Sequence, residues 1–97
     1  NFGQLQLDNV FTGLTFQEKQ CRATIQDPHS ERTLCLTFND MFQQCVLYNP
    51  PHREAICIEP YSCVPGAFEL SHTAAPTGLI VLEPGQSAEG AVDIALE

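Results

Sequence analysis

A carboxylate follows a short apolar run in the segment AICIEPYSC, which covers residues 55–63. Because proline cannot donate a hydrogen bond into a central β ladder, Pro60 predicts that the strand leaves its sheet at Glu59. A side chain at the rim of a sheet can meet a ligand, and a carboxylate there accepts hydrogen bonds strongly from neutral hydroxyls. Glu59 is therefore a candidate functional residue. The alternative is a solvated carboxylate at the end of a strand, paired with Arg53.

The cysteines form no metal-binding pattern. They number five, an odd count, and include no C-x-x-C pair, so their spacing favours neither a disulfide framework nor a zinc site. We expect small buried apolar side chains in a reducing, cytoplasmic compartment. A bridge between Cys57 and Cys63 stays open as an alternative.

Charge and composition exclude several classes of partner. The 97 residues include 12 acidic and 4 basic side chains, which gives a formal net charge of −8. Such a chain repels the phosphates of nucleic acids and anionic lipids, so we expect no nucleic-acid and no membrane partner. No segment approaches the roughly 20 apolar residues that span a bilayer. The hydrophobic content of 43% is typical of a folded soluble domain, which a neutral ligand suits best.

Short strands must position any functional residues, because the hydrophobic pattern along the chain has a period of two. The alternation predicts strands over Gln20–Gln26 and Thr33–Phe38, joined as a hairpin through the turn at 27–31. Further strands are predicted over Phe42–Tyr48 and Ala55–Glu59. The stretch 65–78 is predicted as a loop with room for one helical turn.

Strand-like segments are also predicted toward both ends of the chain. Phe2–Leu7 is strand-like from its first residues, and Leu79–Leu82 is continuously apolar, which predicts burial on both faces. In Ala91–Leu96, the three apolar side chains at 92, 94 and 96 are expected to point inward. Seven or so strands predict an all-β fold, an antiparallel sandwich or barrel. The start at Asn1 without an initiator Met, together with Leu79–Leu82, favours a fragment of a larger domain.

Three motifs, in order along the chain, resemble those of the aldose 1-epimerase (galactose mutarotase) family. LDNVF at 7–11 is similar to the family's Asp-containing strand end, and IEPYS at 58–62 is similar to its glutamate strand. GLIVLEPG at 78–85 is similar to its closing pattern, Gly-Leu-x-x-Leu-x-Pro-Gly. The match covers nearly all of residues 1–97, which correspond to the C-terminal part of the family's single domain.

The resemblance implies a large antiparallel β-sandwich, the galactose mutarotase-like supersandwich, whose concave face binds an aldohexose and interconverts its α and β anomers. Glu59 would be the general base that takes the proton from the anomeric hydroxyl, and Asp8 would accept hydrogen bonds from sugar hydroxyls. The remainder of the domain, upstream of Asn1, would complete the site. The chemistry needs no cofactor and no metal.

Two departures from the family's pattern stand out. Its catalytic and second pocket histidines lie upstream of the matched region, and His29, His52 and His72 do not occupy those places. Asn9 stands where many relatives carry His. The alternative for Asp8, directly before this asparagine, is an ordinary turn residue.

Two other functions compete with the mutarotase. A hexose-6-phosphate 1-epimerase would need basic side chains around the phosphate, and the acidic composition weighs against them. A non-catalytic carbohydrate-binding sandwich would grip sugars with exposed aromatic residues. A chain with no Trp and 8% aromatic residues is poorly equipped for that task.

Overall fold

A computed structural model describes residues 2–97. The fold is mostly β, with almost no helix, as the sequence predicted. Within this part of the chain there are six strands, one fewer than expected, and the helical turn expected in the 65–78 loop is present as a helix of 4 residues. The elements are β1 Asp8–Phe11, β2 Gln20–Asp27, β3 Arg32–Asn39, β4 Gln44–Tyr48, β5 Cys57–Tyr61, α1 Ala67–Leu70 and β6 Val92–Leu96.

The strands form two antiparallel sheets of three strands each. The first sheet has the order β1-β4-β5 and the second has the order β2-β3-β6. The central strand of each sheet, β4 or β3, therefore joins two edge strands that are distant from each other in sequence. No helix within residues 2–97 has the length and apolar character needed to cross a membrane.

The predicted hairpin is confirmed as β2 and β3, which pair from Gln20 with Asn39 to Asp27 with Arg32. Asp27 fixes the turn between them, because its carboxylate accepts hydrogen bonds from the Ser30 hydroxyl at 2.6 Å and from the His29 N–H at 3.0 Å. These bonds, the one from Ser30 foremost, lower the pKa of the exposed Asp27 carboxyl.

The core joins the two sheets. Leu36 and Phe38 of β3 form one buried cluster with Cys45 of β4, and side chains from both sheets pack around it. Phe38 is only 2% exposed and meets Phe42 edge to face, with 6.2 Å between the ring centroids. The five cysteines are free thiols, so the Cys57 to Cys63 bridge is not formed. Cys35 and Cys45 are buried, and the other three are half-buried.

Two strand predictions are wrong. Leu79–Leu82 forms no strand and pairs with neither sheet, and Val81 is 74% exposed. Phe2–Leu7 also stays outside the sheets. Its backbone bonds to a buried side chain instead of a strand, since Asn49 donates to the Leu5 carbonyl and accepts from the Leu7 N–H.

The apolar side chains of the last strand, β6, point to the face that the sequence predicted, but they are not buried there. β6 pairs with β3 so that Leu96 lies opposite Leu34, Ile94 opposite Leu36 and Val92 opposite Phe38. Its apolar side chains thus share the inner face of the second sheet. They are nevertheless 43% to 71% exposed, so the inner face of this sheet is uncovered at β6.

Candidate functional site

The strand register brings the two predicted site residues to one face of the first sheet. Asp8 on β1 lies opposite Tyr48 on β4, and Glu59 on β5 lies opposite Val46 on β4. Because Val46 and Tyr48 are two residues apart on one strand, their side chains point to the same side of the sheet. Cross-strand partners share a face, so Asp8 and Glu59 lie on this side too. We call it the carboxylate face.

The two carboxylates are close enough to act on one small molecule. They are separated by two strand spacings of about 4.8 Å and two residue steps of about 3.4 Å, which gives a Cα separation of about 12 Å. A hexose with its hydroxyls, reached from both ends by a carboxylate side chain, can bridge that span. Asp8 is exposed and Glu59 is half-buried, so both are open to a ligand.

The position of Glu59 within its strand differs from the prediction. Pro60 does not end the strand, which continues to Tyr61, and Glu59 lies at its centre. The physical reason is that β5 is an edge strand, where a proline leaves no ladder bond unmade if its nitrogen faces away from the sheet. Pro60 pairs with Cys45 in an otherwise regular register.

A tyrosine holds the glutamate on the carboxylate face. The Tyr61 hydroxyl donates a hydrogen bond of 3.0 Å to Oε2 of Glu59. The two residues are two apart on β5, so their side chains share a face. The sequence predicted a role for Glu59 and none for Tyr61, because the predicted strand ended at Glu59 and the shared face of the two side chains was therefore not foreseen.

The pKa of Tyr61 reflects its contact with Glu59. The hydrogen bond to Glu59 raises the pKa of the Tyr61 phenol, because ionised tyrosine would lose the bond and face a carboxylate. The negative charges of Glu59 and, more weakly, Asp8 raise the pKa further. The charge of Asp8 therefore reaches the same neighbourhood as that of Glu59.

A buried layer supports the end of β5. Gln44, only 6% exposed, lies opposite Tyr61, and Gly78 packs against the Gln44 side chain. The Val64 N–H donates to the Thr77 carbonyl at 2.8 Å, which ties the chain after β5 to the segment before Gly78. Oε1 of Gln44 is buried without a hydrogen-bond partner within residues 2–97.

The three histidines lie outside the strands of the carboxylate face. His29 is in the β2–β3 turn, and His72 follows α1. His52 is in the proline-containing loop after β4, where its Nδ1 accepts a hydrogen bond from the Glu54 N–H. The next residue, Arg53, donates to the carbonyl of Phe2. The alternative pairing of this arginine with Glu59 is therefore not formed.

None of the basic residues within residues 2–97 belongs to a strand of the carboxylate face. Lys and Arg number four in the chain, at positions 19, 22, 32 and 53. Lys19 precedes β2, Arg22 and Arg32 belong to the second sheet, and Arg53 lies in the loop after β4. Within residues 2–97, no group of three or more His, Cys, Asp or Glu side chains is placed to hold a metal ion.

A cavity of about 830 Å³ lies elsewhere, between the β2–β3 turn and the loop after β4. Residues 24–29 and 53–56 line it together with Phe2 and Asn49. Neither Asp8 nor Glu59 lines it, so the carboxylate face and this hollow are separate.

No protein-family model matches the chain, and no solved structure matches it significantly. The case for a function therefore rests on the three sequence motifs and on the geometry of the carboxylate face.

Proposed function

We propose that this chain supplies the general base and a substrate-binding carboxylate of an aldose 1-epimerase. The observation that carries the proposal is the register that sets Asp8 and Glu59 on one face of the first sheet, about 12 Å apart at Cα. The resemblance implied that one sugar touches both acids, and this register is what makes such a contact geometrically possible. Had they lain on opposite faces, one hexose could not have reached both.

The chemistry is a pair of proton transfers on a neutral sugar. Glu59 takes the proton of the anomeric hydroxyl as the bond between the anomeric carbon and the ring oxygen breaks, and an acid protonates that oxygen. Rotation about the bond between the first two carbons and reversal of both transfers close the ring with the other anomeric configuration. Asp8 accepts hydrogen bonds from the sugar hydroxyls and holds the substrate against the sheet.

The resemblance assigns the acid to a histidine, and the histidines of residues 2–97 do not supply it. His29, His52 and His72 lie in turns and loops away from the strands of the carboxylate face. We propose that a further part of the same domain, upstream of Asn1, brings a histidine to this face. The two sheets would then be part of a larger antiparallel β-sandwich, in which added strands cover the exposed apolar side chains of β6.

The charge distribution favours an unphosphorylated sugar over a hexose phosphate. Asp8 and Glu59 are both acidic, and all four basic side chains lie away from their face. A phosphate bound there would face two carboxylates without a counter-charge. A neutral aldohexose such as glucose or galactose fits this environment.

The test is polarimetry of freshly dissolved α-glucose or α-galactose with the complete protein. Glu59→Gln keeps the size of the side chain and removes the base, so we expect kcat to fall by about 10² to 10⁴-fold. Glu69→Gln is the matched control, because Glu69 is an exposed carboxylate on α1, outside both sheets. An unchanged rate in Glu59→Gln would remove the general-base role.

A further inference from the structure

The Glu59 carboxylate has two unequal oxygens. Oε2 accepts the hydrogen bond from Tyr61, whereas Oε1 accepts none within residues 2–97. A carboxylate without a fixed partner can rotate, and a base with several orientations presents its lone pairs to the substrate for only part of the time. A fixed partner on one oxygen removes that freedom.

The backbone prepares Tyr61 for this contact. Pro60 restricts φ of the residue between them, and the strand geometry keeps both side chains on one face. Beyond Tyr61, the bond between Val64 and Thr77 and the close approach of Gly78 to the Ser62 carbonyl fix the path of the chain. Tyr61 is thus anchored on the side away from Glu59.

We propose that Tyr61 is a positioning residue, which holds Oε2 of Glu59 so that Oε1 is presented to the anomeric hydroxyl of the sugar. This inference deepens the proposed function and rests on it. Tyr61 donates its proton to a hydrogen bond and transfers none, so it stays protonated while Glu59 gains and returns the substrate proton. The raised pKa of its phenol agrees with that role, because it keeps the donor protonated above the usual range for tyrosine.

The first test separates binding from chemistry. In the complete protein, Tyr61→Phe keeps the ring and removes the donor, so we expect kcat for mutarotation to fall about 3- to 10-fold, while KM stays within about twofold. A loss of positioning slows proton transfer without removing a contact to the sugar. A KM increase at unchanged kcat would contradict the positioning role.

The second test reads the contact without catalysis. In protein labelled with ¹³C at the tyrosine Cζ, the resonance of Tyr61 is assigned by its loss in Tyr61→Phe. Its titration midpoint should move down in Glu59→Gln, because the variant removes the carboxylate that raises it. The other tyrosine resonances serve as the internal reference. A midpoint that does not move would show that the contact is absent in solution and would overturn the inference.

A failure of the proposed function can be distinguished from a failure of the role inferred for Tyr61. A complete wild-type protein without mutarotase activity contradicts the proposed function itself. An active wild-type protein whose Tyr61→Phe variant has wild-type kcat contradicts only the role of Tyr61.

Discussion

At the scale of single residues, Asp8 and Glu59 have separable tasks. Asp8 is exposed on an edge strand and would bind hydroxyls that do not react, whereas Glu59 would touch the reacting atoms. Asp8→Asn keeps an acceptor but removes the charge. We therefore expect kcat/KM to fall about tenfold, mainly through a higher KM, when mutarotation is followed over a range of sugar concentrations.

Asp93→Asn is the control for that variant, since Asp93 is an exposed acid on β6 of the second sheet. Equal effects of the two substitutions would indicate that only net charge matters. A fall in kcat alone for Asp8→Asn would assign it to the chemical step instead of to binding.

The motifs predicted the choice of Asp8 and Glu59, and the resemblance implied that one sugar touches both. Neither predicted the strand register that brings them to one face. The two acids share a face because their partners on β4, Tyr48 and Val46, are an even number of residues apart. A slip of one residue in either pairing would have turned one acid to the opposite face. Such a register is set by contacts between distant segments, which a single sequence does not reveal.

At the scale of elements, alternation predicted β2, β3, β4 and β6, and it failed for Phe2–Leu7 and Leu79–Leu82, which belong to neither sheet. The β2–β3 hairpin needs only a turn and two alternating runs, and the sequence contains both. Leu79–Leu82 has the apolar residues of a buried strand but no neighbour to pair with. The strand end predicted at Pro60 was wrong because a proline is excluded from a central strand but tolerated in an edge strand such as β5.

The segment after α1 supports β5 through a glycine. Gly78 has φ +78°, and a Cβ there would lie 2.8 Å from both Oε1 of Gln44 and the Ser62 carbonyl oxygen. Gly85 has a similar φ of +85° but open space around it. Alanine at either position costs about 1 to 2 kcal/mol for the left-handed backbone. Gly78→Ala should cost about 1 to 3 kcal/mol more, from overpacking.

Chemical denaturation of both glycine variants measures this difference. Because the backbone cost is shared, the gap between Gly78→Ala and Gly85→Ala isolates the contact with Gln44 and Ser62. Equal midpoints at equal slopes would mean that Gly78 does not pack against the end of β5. The support proposed for Tyr61 would then be lost as well.

At the scale of the whole molecule, the chain is more extended than its length requires. Its radius of gyration is 15.5 Å, against about 12.5 Å for a compact domain of this size. Large apolar side chains remain exposed on β6 and in the 79–82 segment, with Ile94 at 71% and Val81 at 74%. Exposed apolar surface of this kind marks places where other protein packs. It agrees with the proposal that further strands complete the domain and bring the missing acid.

We therefore expect the 97-residue chain alone to leave the mutarotation of α-glucose at the rate of the buffer, because none of the histidines of residues 2–97 lies on a strand of the carboxylate face, where the proposed mechanism needs its acid. The complete protein should accelerate the reaction, and the upstream part, added to the chain or joined to it, should restore the rate. The complete protein with Glu59→Gln is the control, since it contains the acid without the base. If the chain alone matched the complete protein, the acid would have to lie within these residues, and the proposed division of the site would be wrong.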